Sequence, residues 1–321
     1  MPTPTRPYLP KELAILVPTK DRPELVKRFL DTLAAQNISP GQVIIVDSGT
    51  PVEDVVLSFS DRLRIEYHRT ARPGQIHQRN HGIKQIAAPI RLVSLFDDDV
   101  TLESGALEQM LLKWNTVADE TAGIGYNITN MPRNEYRTHY AFFNMSAPEP
   151  GRILRSGFAT SLCNISEDTQ TQWLGGGYTV WRRDILENHP QDTLRTRWAV
   201  GEDVRFSYPI GKKHPLHVCA AARIKAETVL DHAVPDEIER YRGEKWALAQ
   251  LYLTSRDETL SAPHCVWMLL GSTALKLGYG LLHQTRPQTQ SALGQLCALG
   301  IYFRSLIFRH DLKIALEDVI S

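Results

Sequence analysis

Three adjacent carboxylates, Asp97, Asp98 and Asp99, directly follow the apolar run Arg91 to Phe96. Like charges at neighbouring positions repel, so ionising all three is costly unless a cation compensates. A hard divalent ion with oxygen ligands supplies that compensation and keeps phosphate oxygens and water in its shell. The carboxyl end of a strand in an open α/β sheet is also where ligands bind. The plainer alternative is a solvated acidic turn that caps a following helix, because acids favour helix N-termini.

Further clusters carry possible chemistry. In Gly201-Glu202-Asp203, which follows Trp198, a carboxylate could take the proton of an attacking hydroxyl as a general base; the alternative is again a helix start. Pro18, Thr19, Asp21 and Arg22 follow the first apolar run and Asp47 the second, so both groups would open onto one crevice. An aspartate there can accept hydrogen bonds from the imide or amino edge of a nucleobase, although singly these are turn residues. Arg79-Asn80-His81-Gly82 offers a guanidinium to phosphate or base; the alternative is the start of a surface helix.

The elements that must position these groups alternate between short β-rich runs and helical segments, which predicts a parallel sheet flanked by helices. Leu13 to Val17, Val43 to Val46, Leu63 to Tyr67 and Arg91 to Phe96 read as strands, with Asp21 to Ala35 and Thr101 to Lys113 as helices. Asp21 is a candidate N-cap, and Pro23 stands near the first turn. Residues 126–172 are rich in Asn, Pro, Ser, Thr and Gly and read as loops or short strands around a site. Gly175-Gly176-Gly177 leads into a strand at Tyr178 to Trp181, and the chain becomes helical from Ile238. A boundary near Ser255 divides a catalytic domain, 1–255, from a helical extension, 256–321.

Composition excludes several classes. The 36 basic and 36 acidic residues balance, so no global field argues for nucleic acid. Cys163, Cys219, Cys265 and Cys297 are widely spaced, which argues against a disulfide framework or a zinc site and for a reducing cytosol. The opening MPTPTRPYLPKE lacks the apolar core of a secretory signal.

Taken in order, VPTKDR (Val17 to Arg22), IIVDSGT (Ile44 to Thr50), RPGQIHQRNHGI (Arg72 to Ile83), LFDDDV (Leu95 to Val100), LGGGYTVWRRDIL (Leu174 to Leu186) and GEDVRFS (Gly201 to Ser207) resemble the family 2 inverting glycosyltransferases of GT-A fold. The resemblance runs from Leu13 to about Tyr241. It implies a nucleotide-sugar donor, a glycan or lipid-linked acceptor, Mn2+ or Mg2+, and a place in polysaccharide or cell-envelope synthesis. Pro18, Thr19, Asp21 and Asp47 would line the base pocket, with Arg79 and Asn80 nearby. Asp97 to Asp99 would be the DXD element: Asp99 the direct metal ligand, Asp97 or Asp98 facing the ribose or metal-bound water. Gly175, Gly176, Gly177 and Trp198 would lie by the sugar and acceptor. Asp203 would be the base, supported by Glu202. His232 is the positional match for a metal or diphosphate histidine, and His217 its rival. Two departures leave donor and acceptor open: Ser48 stands where many members carry a second acid, and the frequent basic cluster after Asp203 is missing.

The tail raises a membrane question. Residues 262–283 and 292–308 are apolar but interrupted, short of about 20 clean apolar residues for a span. Trp267, Leu270, Ala274, Leu277 and Leu281 share one helical face, and Arg286, Arg304, Arg309 and Lys313 flank the segments. Two readings follow: peripheral helices on the cytoplasmic face of the inner membrane, or helices packed on the catalytic domain or in a homodimer. Two rival functions are a non-catalytic sugar-binding or assembly subunit with the same fold, and a nucleotidyltransferase. The latter would carry a Gly-rich loop that VPTKDRPEL lacks.

Overall fold

The computed structural model describes residues 6–192, 194, 200–227 and 235–317. Among these the chain runs β1 (Leu13–Thr19), α1 (Pro23–Ala34), β2 (Gln42–Asp47), α2 (Glu53–Leu57), β3 (Ile65–Arg69), α3 (Gln75–Ile83), β4 (Leu92–Phe96), β5 (Val100–Leu102), α4 (Ala106–Trp114) and β6 (Gly123–Ile128). It continues through α5 (Thr138–Phe142), β7 (Thr169–Thr171), β8 (Tyr178–Arg182), α6 (Arg183–Asn188), α7 (Glu202–Gly211) and β9 (Leu216–Ala226). Helices α8 (Asp236–Arg256), α9 (Ala262–Leu282), α10 (Arg286–Phe308) and α11 (Leu312–Leu316) close the order. Two units result: Met1–Asn134 with Ser161–Thr193 and Glu202–Thr228, and Glu135–Thr160 with Leu194–Gly201 and Val229–Ser321.

The first unit is an α/β fold on one sheet, ordered β3-β2-β1-β4-β8-β6-β9-β5 with β7 beside β9. The strands β1 to β4, β6 and β9 share one direction, opposed by β5, β7 and β8, so the sheet is mostly parallel. Every residue of β1, β2 and β4 is buried, as continuous apolar strands covered on both faces must be. Side chains alternate between the faces. Leu13, Ile15, Val17, Val43 and Ile45 meet Val26, Phe29, Leu30 and Leu33 of α1, while Ala14, Leu16, Ile44 and Val46 point the other way. Each such burial contributes roughly 1.5–3 kcal/mol.

The second face receives α3 at close quarters. A side chain at Gly82 would collide with Leu16 and come within 3.1 Å of Val46 Cγ2. That approach buries Ile76, Gln78 and Arg79 on the same helix. The Gln78 amide then donates to the carbonyls of Thr19 and Val46, both at 2.7 Å.

Two helix starts differ from expectation. α1 begins at Pro23 with Arg22 before it and no side-chain cap, since a proline pushes its predecessor out of helical backbone. Asp21 instead adopts a left-handed backbone, φ 57°, and its carboxylate accepts the Thr50 N–H at 2.7 Å. Val100 to Leu102 form β5, with Val100 opposite Ala226, as the β-branched Val-Thr pair favours. The helix waits for Gly105, φ 76°, and starts at Ala106.

The second unit is helical, with Leu248, Leu251, Met268, Leu269, Leu299 and Leu316 in its core. The loop-like stretch 135–160 belongs here: Phe143 stacks 5.2 Å from Trp267, and the Ser261 N–H donates to the Arg155 carbonyl at 2.8 Å. Ser255, where a boundary is expected, lies in the last turn of α8. By length and composition α9 and α10, 21 and 23 residues, are long and apolar enough to cross a membrane. Helix α10 exceeds the apolar run 292–308 seen in sequence because it starts at Arg286.

Overfilling the α3 seat should cost stability. Gly82→Val is expected to lower the unfolding free energy by about 1–3 kcal/mol in urea titration. Gly300→Ala, with nothing within 4 Å of the added carbon, is expected to lose none.

Candidate active site

The sheet itself assembles the site. Proline lacks an N–H, and at Pro18 the β1 ladder divides. Toward β2 it runs to Thr19 opposite Asp47, but toward β4 it stops at Leu16 opposite Leu95. The ends of β1 and β4 therefore part, and a side-chain bond bridges them: Thr19 Oγ1 donates to Asp98 Oδ2 at 2.7 Å. On the other side of β4, Phe96 pairs with Tyr178, and the Asp97 N–H donates to the Gly177 carbonyl at 3.0 Å. The acidic run and the glycine turn are thus neighbours through strand pairing.

The glycines are spacers. A side chain at Gly177 would enter the Asp97 carboxylate; one at Gly176 would meet Asp203 and stand 2.8 Å from Arg79 Nη1; one at Gly175 would strike the Tyr178 ring. Asp203 lies in the first turn of α7, where the Gly176 N–H hydrogen-bonds its carboxylate. Ser207, one turn on, donates to the carbonyls of Asp203 at 2.6 Å and Leu174 at 3.1 Å and accepts the Leu174 N–H at 2.9 Å. Turn and helix are tied at both ends.

Each acid has different company. Asp97 Oδ1 accepts from Arg79 Nη2 at 2.6 Å and also from Gln75. Asp98, buried, accepts from Thr19 and from Arg22 at 3.1 Å. Asp99 has only Arg22 as an ion-pair partner among the described residues, at 3.6 Å. Arg79 is 1% exposed, an enclosed cation beside both Asp97 and Asp203.

Five carboxylates (Asp97, Asp98, Asp99, Glu202, Asp203) face the guanidiniums of Arg22, Arg79 and Arg205. The surplus is negative, and it shows in the titration. Burial, then repulsion from Asp97 and Asp98, pushes Asp99 up to about 6. Burial raises Asp98 despite Thr19 and Arg22. Burial, then Asp203, raises Glu202; burial and Asp97 raise Asp203 although Arg79 opposes. A divalent cation fits this deficit, with Asp99 as the acid left open to it. Among the described residues no three His, Cys, Asp or Glu side chains are grouped so as to hold a metal ion.

The remaining candidates divide. Asp47 is fully buried, accepting from the Gly49 N–H and the Tyr67 hydroxyl, both at 2.7 Å; burial, then Asp47, pushes the Tyr67 phenol up to about 12. Asp21 is exposed, and the Thr50 N–H lowers its pKa. Asn80 donates to the Gln191 carbonyl at 2.9 Å. His217 sits at the start of β9 between Ile124 and Gln170, beside Lys113 and Asp168. The residue opposite Val100 is Ala226, at the other end of β9 from His217, so His217 and Asp99 lie at opposite ends of that strand. Trp198 and His232 fall outside the described residues. Glu227, before the latter, donates its N–H to the Asp99 carbonyl at 2.7 Å.

Sequence reading missed Gln75, Gln78, Tyr178 and Ser207. The spacing 75, 78, 79, 82 on one face of α3 could have revealed the first two; nothing in sequence marks Ser207.

Residues 14–189 match the model of glycosyl transferase family 2. A validoxylamine A glucosyltransferase of Streptomyces hygroscopicus subsp. limoneus is 29% identical over 143 residues, 43% of this chain and 31% of that protein. The GalNAc(5)-diNAcBac-PP-undecaprenol beta-1,3-glucosyltransferase of Campylobacter jejuni is 24% identical over 190 residues, 56% of this chain and 54% of that protein. The chain thus spans between about a third and about half the length of these two relatives. Mannosyltransferase PcManGT from Pyrobaculum calidifontis, solved with GDP-Man and Mn2+, shares the fold at TM-score 0.54 and 14% identity, over 97% of this chain and 92% of that one. With the family model covering more than half of its length, the chain belongs to glycosyl transferase family 2.

Proposed function

We propose that the enzyme moves a sugar from a nucleotide-diphosphate sugar to an acceptor hydroxyl in one inverting displacement, with Asp203 as base. The observation that carries this is the pair of acids, Asp97 and Asp203, flanking Gly176 and Gly177 with Arg79 beside both. A base belongs opposite a leaving diphosphate, and the glycines let both acids close on the same short turn of backbone. PcManGT, solved with GDP-Man and Mn2+, supports the donor class and the metal.

Asp203 accepts the acceptor's proton while the acceptor oxygen bonds to the anomeric carbon. The bond from that carbon to the diphosphate oxygen breaks, and its electrons leave with the diphosphate. A carboxylate raised by burial, yet held ionised by Arg79, combines basicity with charge at neutral pH. Glu202 supports the acceptor, and Gly175 to Gly177 with Trp198 border the sugar. Pro18, Thr19 and Asp21 border the base, with Arg79 and Asn80 near. Asp47 acts indirectly, by fixing the Gly49 turn and Tyr67 around it. Asp99 and His232, with Asp97 adjacent, would hold Mn2+ or Mg2+; when bound, the ion supplies Lewis-acid neutralisation of the departing diphosphate. The Glu227–Asp99 backbone bond supports His232 over His217, since the chain leaves β9 at Asp99 five residues before His232. The relative named for an undecaprenol-linked substrate supports a glycan or lipid-linked glycan acceptor at the cytoplasmic face of a membrane, in cell-envelope polysaccharide synthesis.

Asp203→Asn is expected to reduce transfer by about 10²–10⁴-fold with donor affinity nearly intact in calorimetry; full turnover would refute the assignment. The same variant should be more stable at neutral pH. A carboxyl whose folded pKa is raised contributes stability that is fully present below its unfolded pKa and is lost as pH rises through the folded one. The gain in melting temperature should therefore shrink on acidification. In the wild type, the acid limb of the kcat/KM profile should lie above the ordinary carboxylate range and vanish in Asp203→Asn. His232→Ala should raise the Mn2+ concentration for half-maximal activity by about tenfold or more, and His217→Ala should not; equal effects would remove His232 from the site.

A further inference from the structure

Helices α9 and α10 keep an apolar core, yet each turns a second apolar stripe outward. On α9, Trp267, Leu270, Ala274 and Leu281, spaced by three and seven, are exposed, with Leu277 half-buried in the same stripe. On α10, Leu293, Leu296, Gly300, Phe303 and Ile307 repeat that spacing and are likewise exposed. The inward faces carry Ser272, Thr273, Ser291 and Gln295. Thr273 Oγ1 donates to Gln295 Oε1 at 2.9 Å, and Gln295 Nε2 donates to Ser272 Oγ at 3.1 Å. An amphipathic helix in water turns its apolar stripe to the core; here both stripes are turned out, with Leu282 82% and Ile307 73% exposed.

We propose that this face is a membrane-docking surface, and that its occupant is the acyl and headgroup region of an anionic lipid leaflet. Small and hydrogen-bonding residues between helices, with large apolar residues outward, is the arrangement that lipid favours. Charge agrees. No Asp or Glu occurs from Ala262 to His310, while Arg286, Arg304, Arg309 and Lys313 lie at or near the helix ends, as anionic headgroups require. The hairpin lies on the leaflet and does not cross it. Arg240 of α8 donates to Cys297 Sγ at 3.1 Å, and its carbonyl abuts Gly294, so a spanning α10 would draw that arginine toward the bilayer centre at steep cost. Docking is independent of the donor and metal reading.

The test is flotation of the purified full-length enzyme with vesicles of phosphatidylcholine alone or mixed with phosphatidylglycerol. The wild type should float with the mixed vesicles, less so at high salt, and should be released by alkaline carbonate. Leu282→Glu with Ile307→Glu should lower the bound fraction on the order of tenfold or more at unchanged melting temperature. If that pair destabilises the fold, Leu282→Ser with Ile307→Ser serves, read by the same flotation. Absence of wild-type binding, binding unaltered by the substitutions, or carbonate resistance would each overturn the proposal. So would a lipid-free dimer that the substitutions dissociate, because the face would then belong to a second copy.

Discussion

The structure turns on keeping like charges close without letting them meet. Asp97 and Asp203 reach the same few ångströms from two elements far apart in sequence, and only backbone stands between them at Gly176 and Gly177. Arg79 makes this tolerable. Enclosed on α3 and fixed to Asp97, it supplies a positive charge in low dielectric, where one guanidinium counts for more than it would in water. The arginine's place depends in turn on Gly82, which lets the helix settle onto Leu16 and Val46. Sheet packing and site electrostatics are therefore one problem.

The incomplete compensation is informative. A protein optimised for stability would not leave raised carboxylates at the end of a buried strand. Here the deficit remains, so the folded chain carries a cost that a bound cation would relieve. Asp98 shows the contrast: with Thr19 and Arg22 it has become part of the scaffold, while its neighbour Asp99 stays comparatively open.

Much of this was legible in the residues themselves. Fully apolar runs bounded by Pro18, Asp47 and Asp97 announced strands with functional ends, because burial on both faces leaves no other residue types possible there. Helix starts were less legible. Asp21 has the chemistry of a cap, yet Pro23 and the backbone at Asp21 send its carboxylate to Thr50 instead. The segment 135–160 has loop composition and nevertheless packs into a helical unit, since its few aromatics, Phe143 above all, find partners far along the chain. Tertiary contacts of that separation leave no local periodicity. Orientation was illegible for the same reason: the stripe on α9 could be seen, but whether it faced in or out depended on polar partners on α10.

Ser207 has a mechanical meaning. Its hydroxyl binds the backbone of Leu174 and of Asp203 at once, so the segment at Leu174 and the first turn of α7 cannot shift separately. Any displacement of the segment at Leu174 would carry the start of α7, and the Asp203 carboxylate with it, so that acid keeps its register with the glycine turn.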